Sequence, residues 1–165
     1  MLDLFQIVLG AAIFLSTLAM GLVLVFAIVV MPGIGTLNDH QFLRSFQVID
    51  RVIQQNQPIF ITVWLGAAIS VIVAAIMGLT RLDGIALGLL LTAAVIYIVG
   101  VQLPTFIVNI PLNNRIQTLE IDDLDAKSAR SERERFEARW NRWNGIRTIL
   151  GSLSSLLLIY LLATL

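Results

Sequence analysis

The run of residues from Leu4 to Val30 contains no charged side chain, and three further apolar runs follow it. This repetition constrains the fold more than any other feature of the chain. A helix of about 20 apolar residues crosses the roughly 30 Å hydrocarbon core of a bilayer. The runs are residues 4–30, 58–79, 84–109 and 145–165, the last interrupted only by Arg147 near its start. A backbone amide in hydrocarbon has no water to bond, so segments of this kind are helical. The fold expected is all-α: a four-helix transmembrane bundle forming a single domain over residues 1–165. Composition agrees. Charged residues make up 13% of the chain and hydrophobic ones 58%, against about 25% charged in soluble domains. The first run reads as a span and not a cleavable signal, because Asp3 is its only early charge and no basic segment precedes it.

The polar residues lie between the runs. Residues 80–83 (Thr-Arg-Leu-Asp) make a tight turn, so the second and third spans form an antiparallel hairpin. The two longer connections, 31–57 and 110–144, share the opposite face. They hold Arg44, Arg51, Arg115, Lys127, Arg130, Arg133, Arg135, Arg139 and Arg142, with Arg147 at the border, whereas the other face has only Arg81. The positive-inside rule then places both long connections in the cytoplasm and both termini outside. Small residues recur every four positions at Gly66, Ser70, Ala74 and Gly78, and more loosely on the third and fourth spans. Such stripes let helices approach closely. Packing within one bundle is the simpler use, and an oligomer is left open.

Residues 38–57 read as an amphipathic helix capped by Asn38 or Asp39. Phe42, Phe46, Ile49 and Ile53 form its apolar side, and His40, Arg44, Gln47, Arg51 and Gln54 its polar side. It fits either an interfacial helix with its polar side to water or a lid over a cavity between the spans. In the second connection, Pro111 is expected to stop helical hydrogen bonding, freeing the amides of Asn109, Asn113 and Asn114. Ser131 and Glu134 fit a capping box for a new helix that runs into the fourth span. That helix carries Phe136, Trp140, Trp143 and Arg147 at helical spacing. This face is either an aromatic belt with a snorkelling cation or a stacking wall for a flat ligand that ends in a positive charge. On the second reading Asn109, Asn113, Trp143, Asn144 and Arg147 line one cavity at the inner end of the bundle, and Asn114, Trp140 and Arg51 are further candidate ligand contacts.

Absences narrow the chemistry. With one histidine and no cysteine, bis-histidine haem, thiolate metal sites and a cysteine nucleophile are excluded. There is no Glu-x-x-His pair for a di-iron bundle, no phosphate-binding glycine loop and no nucleophile elbow. None of the four spans carries an Asp or Glu for a proton relay. Asp123 and Asp125 read as a solvated acidic loop. Zero formal net charge implies no nucleic-acid partner; the lipid bilayer is the partner the sequence demands.

Four motifs occur in order: Met-Pro-Gly-Ile at 31–34, the glutamines 54, 55 and 57 before Pro58, Asn-Ile-Pro-Leu-Asn-Asn at 109–114, and Trp-Asn-x-x-Arg at 143–147. Over nearly its whole length the chain resembles the anthrone-oxygenase-like family of small four-helix membrane proteins. The resemblance implies oxygenation of a lipophilic aromatic compound, an anthrone, to an anthraquinone with no metal or flavin cofactor. It also implies roles: Trp140 and Trp143 stacking on the rings, Arg147 with Asn113 and Asn144 holding an oxyanion, and His40 or a loop carboxylate as base. Many members have histidine where this chain has Asn144, and asparagine cannot titrate. A second reading, a non-catalytic membrane subunit binding a lipid or a protein through the same pocket, stands beside the first.

Overall fold

The structure, a computed structural model, describes residues 3–165. Every regular element among them is helical. Helix α1 is Leu4–Gly35, α2 Asp39–Gln54, α3 Pro58–Gly78, α4 Gly84–Gln117 and α5 Ala126–Thr164. All but α2 are long and apolar enough to cross a membrane. Helix α1 packs against α3 and α5, and α4 packs against α5. Helices α3 and α4 pack on each other mainly within the Gly84–Tyr97 part of α4, beside their connecting turn. An ion pair between Arg81 and Asp3 (2.9 Å) joins that turn to the start of α1.

Pro111 is expected to stop helical hydrogen bonding, and the structure corrects this. Helix α1 continues past Pro32, and α4 continues past both Pro104 and Pro111. Proline lacks the N–H that would bond four residues back, and its ring crowds that carbonyl. Just before each proline the helix widens into a π turn: Phe26–Val30, Ile98–Gln102 and Thr105–Asn109. The residue preceding each proline then donates five residues back, Met31 to Phe26, Leu103 to Ile98 and Ile110 to Thr105. In a bilayer this widening costs less than leaving the ladder open.

Helix α5 has 39 residues, about 58 Å at the usual rise. Its N-terminal half therefore extends beyond the hydrocarbon. It starts at Asp125, whose carboxylate accepts the Ser128 N–H (2.7 Å). The helix thus begins before the expected Ser131–Glu134 box, and ion pairs Arg130–Glu134 and Arg133–Glu137 support its first turns.

Helix α2 keeps part of its polar side exposed, at Arg51 and Gln54. It docks on the extended half of α5 and forms a second core outside the main bundle. The Phe46 ring lies 4.4 Å from that of Phe136 and 5.5 Å from that of Trp140. Asn38 caps α2, accepting the Gln41 N–H. Gln47, expected on the polar side, is buried because the end of α4 rests on it: its Nε2 donates to the carbonyls of Ile116 (2.9 Å) and Leu119 (3.0 Å). Arg133 fastens the end of α1 to α5, donating to the carbonyls of Gly35 and Leu37 while lying over the Phe42 ring.

Glycine sets the closest helix contacts. A Cβ built on Gly151 of α5 collides with Met20 Sδ of α1 and meets Val101 of α4 at 3.1 Å, whereas one on Gly10 meets nothing within 4 Å. Gly151→Ala should therefore destabilise the bundle by about 1–3 kcal/mol of overpacking, partly offset by the roughly 1 kcal/mol that alanine gains in a helix. Gly10→Ala should show the gain alone. Thermal melts of the two variants in one detergent should place Gly151→Ala below wild type and Gly10→Ala at or above it.

Candidate functional site

Beyond Tyr97 the α3–α4 hairpin opens, and a cavity of about 440 Å³ fills the space between the helices. This volume falls within the range of small-molecule sites. Its walls are mostly apolar: Leu22, Val23 and Phe26 from α1, Phe60 and Trp64 from α3, Phe46 and Ile53 from α2, and Trp140 from α5. Helix α2 thus supplies part of the cavity wall.

The polar groups come from three helices. Helix α4 contributes Thr105, Asn109 and Asn113, α5 contributes Asn144 and Arg147, and α2 contributes Asp50. The four-residue spacing of Thr105, Asn109 and Asn113 puts them on one side of α4. The π turn at Thr105–Asn109 and the proline after it lie in this stretch. Pro111 thus acts through a widened helix that continues, and not through a break.

Arg147 is only 7% exposed and makes no ion pair among the described residues. Its Nη1 donates to Thr105 Oγ1 (3.0 Å) and its Nη2 to Asn144 Oδ1 (2.9 Å), while its Nε has no partner. Asn144 in turn donates to the Val23 carbonyl (3.1 Å), which fixes its oxygen toward the guanidinium. Both amide atoms of Asn109 are buried and unpartnered. One part of the cavity thus presents a cation and an amide with unused hydrogen-bonding capacity. Unpartnered buried polar groups are costly and rare, and a ligand would satisfy these.

Asp50, 2% exposed, is the acidic residue of the site. Its Oδ1 accepts from Asn113 Nδ2 (2.7 Å), and its Oδ2 from Gln117 (2.9 Å) and Gln54 (3.3 Å). Asn113 Oδ1 accepts the indole N–H of Trp140 (2.8 Å), and the Arg147 guanidinium lies 5.7 Å from the Trp140 ring centre. A chain of contacts therefore runs from Asp50 through Asn113 and Trp140 to Arg147. Burial raises the Asp50 pKa above the usual carboxylate value, and the amide donors Gln117, Gln54 and Asn113 offset part of that rise.

Of the residues singled out from sequence, Asn109, Asn113, Trp140, Asn144 and Arg147 come together here. Trp143 is half-buried and Asn114 exposed; neither lines the cavity, and Asn114 accepts a bond from Gln54 (3.0 Å). Arg51 is exposed, outside the cavity. His40 lies in a surface groove beside Arg44 and Asp122, its Nε2–H bonded to the Leu124 carbonyl (2.8 Å). Arg147 is enclosed by the bundle and does not snorkel.

A profile of the anthrone oxygenase family matches residues 42–157. The chain belongs to the anthrone oxygenase family. No curated protein and no solved structure matches it. The family match takes in every polar residue of the cavity, from Asp50 to Arg147, and leaves His40 outside it. Asp50, Thr105 and Phe46 escaped the reading of the sequence. Asp50 had a visible signal: it falls four residues after Phe46 and three before Ile53, on the apolar stripe of an amphipathic helix.

A buried cation without a counter-ion carries a desolvation penalty of several kcal/mol, more than two hydrogen bonds at about 1.5–3 kcal/mol each comfortably offset. Arg147→Met should therefore melt at or above the wild-type temperature in detergent. A clear fall in melting temperature would show that the guanidinium holds the bundle together, as a structural tie would.

Proposed function

We propose that the chain is a membrane-embedded, cofactor-independent oxygenase that acts on a flat lipophilic aromatic of the anthrone type. The observation that carries this reading is the placement, in one apolar cavity, of a buried carboxylate and a buried arginine without a carboxylate partner. Family membership supports the same direction.

In this reading the ring system lies among Phe26, Phe60, Trp64 and Trp140, with its methylene carbon toward Asp50. A carboxylate has about four lone-pair sites. Three accept amide hydrogens here, which leaves one on Oδ1 for a substrate proton. Asp50 removes a methylene proton, and the electron pair delocalises through both rings onto the carbonyl oxygen. Arg147 and Asn109 stabilise that developing oxyanion, the role preorganised donors play in a dry site. The carbanion passes one electron to dioxygen, and the two radicals combine into a peroxide at the carbon. The peroxide oxygen takes up a proton, the second methylene proton leaves, the O–O bond breaks, and water and the quinone result. The organic substrate is oxidised and dioxygen reduced, with no further reductant needed. Asp50 suits the base better than His40, whose Nε2 is engaged outside the cavity.

Asp50→Asn should lower anthrone turnover by about 100-fold or more, the usual share of a general base, and leave anthrone binding in place. Wild-type turnover should rise as pH climbs through the elevated Asp50 pKa, because only the ionised form accepts the proton. Stability should run the other way. The unfolded chain releases this proton at lower pH than the folded one, so between the two values rising pH costs stability. Binding of anthrone with no oxygen consumption at any pH would favour the non-catalytic binding subunit instead.

We further infer that both termini and the 80–83 turn face outward and the long connections face the cytoplasm, from the split of lysines and arginines between the two faces. Cysteines introduced at Thr80 and Lys127 test this in intact cells. An impermeant thiol reagent should label position 80 from outside and reach position 127 only after the cells are opened.

A further inference from the structure

The cavity lining reaches the surface at two places of opposite character. One is polar and lies at exposed Asn56, in the connection between α2 and α3. The other is apolar. Leu65 of α3 and Phe106 of α4 both line the cavity, yet they are 50% and 57% exposed. Ile61 and Ile110, one turn from each on the same sides, line it too and are half-buried. The cavity therefore reaches the outer surface of the bundle between α3 and α4. The packing agrees, because α3 holds α4 mainly within Gly84–Tyr97 and the two diverge beyond it. Leu65 lies seven residues into α3, about 10 Å from its start, which is acyl-chain depth in a bilayer.

We propose that this gap is a lateral portal, through which the cavity takes a neutral aromatic compound dissolved in the acyl-chain region and not one arriving from water. The proposal rests on the reading of the cavity as a substrate site. Its chemistry follows from the rim. Leu65, Phe106, Ile61 and Ile110 offer no hydrogen bond to a passing group, so a sulfonated, glycosylated or otherwise ionised molecule would lose its hydration with no compensation. A neutral polycycle already in hydrocarbon loses nothing at the same rim. The charge in the substrate arises only after admission, when Asp50 takes the proton. The apolar rim then gives the anion no way back into the acyl chains. The portal thus selects the substrate class on the way in.

The chain has no native cysteine, so the variant Leu65→Cys with Phe106→Cys carries only the two introduced thiols. The protein is reconstituted in phosphatidylcholine vesicles, and anthrone is added in the lipid phase. Uptake is read as quenching of the tryptophans, two of which, Trp64 and Trp140, line the cavity. The reduced double variant sets the reference rate, and its helical circular dichroism checks that it has folded. Bridging the thiols with a bifunctional methanethiosulfonate should slow quenching by about ten-fold or more, as closing a gate does, and a reductant should restore it. Anthraquinone-2-sulfonate supplied in the aqueous phase should quench neither form. A bridge confirmed by mass that leaves the rate unchanged would overturn the portal alone. So would rapid quenching by the sulfonate. Absence of quenching in the wild-type protein would remove the substrate-site reading, and the portal with it.

Discussion

In hydrocarbon no water stands ready to accept a backbone hydrogen bond, and the rest of this structure depends on how the chain meets that demand. Three prolines lie within or at the ends of apolar runs, and each would leave a gap in an ordinary helical ladder. The chain keeps the ladder closed by widening it, with a π turn ahead of Pro32, Pro104 and Pro111. π turns of this kind are frequent at functional sites. Two of the three contain cavity residues: Phe26 in the first, and Thr105, Phe106 and Asn109 in the third. Helix α4 continues as far as Gln117, and that length is what brings Asn113 and Gln117 to Asp50.

The two buried charges of the site are kept apart. A direct pair between Asp50 and Arg147 would satisfy both and leave nothing for a ligand. Instead three amides bond Asp50, Thr105 and Asn144 bond Arg147, and Asn113 and Trp140 stand between them. The arrangement leaves a carboxylate with an elevated pKa and a cation with unused N–H capacity in one apolar space. Such a site costs stability, and functional sites are where that cost is usually found.

The placement of α2 depends on a second core that the membrane does not provide. Phe42, Phe46, Phe136 and Trp140 pack where α5 rises out of the bilayer, and Gln47 fastens the end of α4 to the same place. Arg133 ties down the end of α1. Without that extension of α5, α2 would have only the membrane surface on which to bury its apolar stripe, and Asp50 would sit in water.

By itself the sequence determined the all-α fold, the four spans, the tight turn between the second and third, the amphipathic α2 with a cap at Asn38 or Asp39, and a continuous helix into the fourth span. These follow from local properties: apolar run length, helical period and capping chemistry act between residues near one another in the chain. It also pointed to Asn109, Asn113, Asn144 and Arg147, because proline and polar residues at a span boundary are locally anomalous and the family motifs fall on the same positions, and to Trp140 by its helical spacing with Arg147. Only the tertiary structure decided that Asp50 is the acid of the site and that His40, Arg51, Asn114 and Trp143 stand outside the cavity. A helical period says which residues share a side. It cannot say which neighbour that side meets, and burial, pairing and a raised pKa are properties of the meeting. The prolines teach the same lesson: their missing N–H is written in the sequence, but whether the helix breaks or widens depends on whether water or hydrocarbon surrounds it.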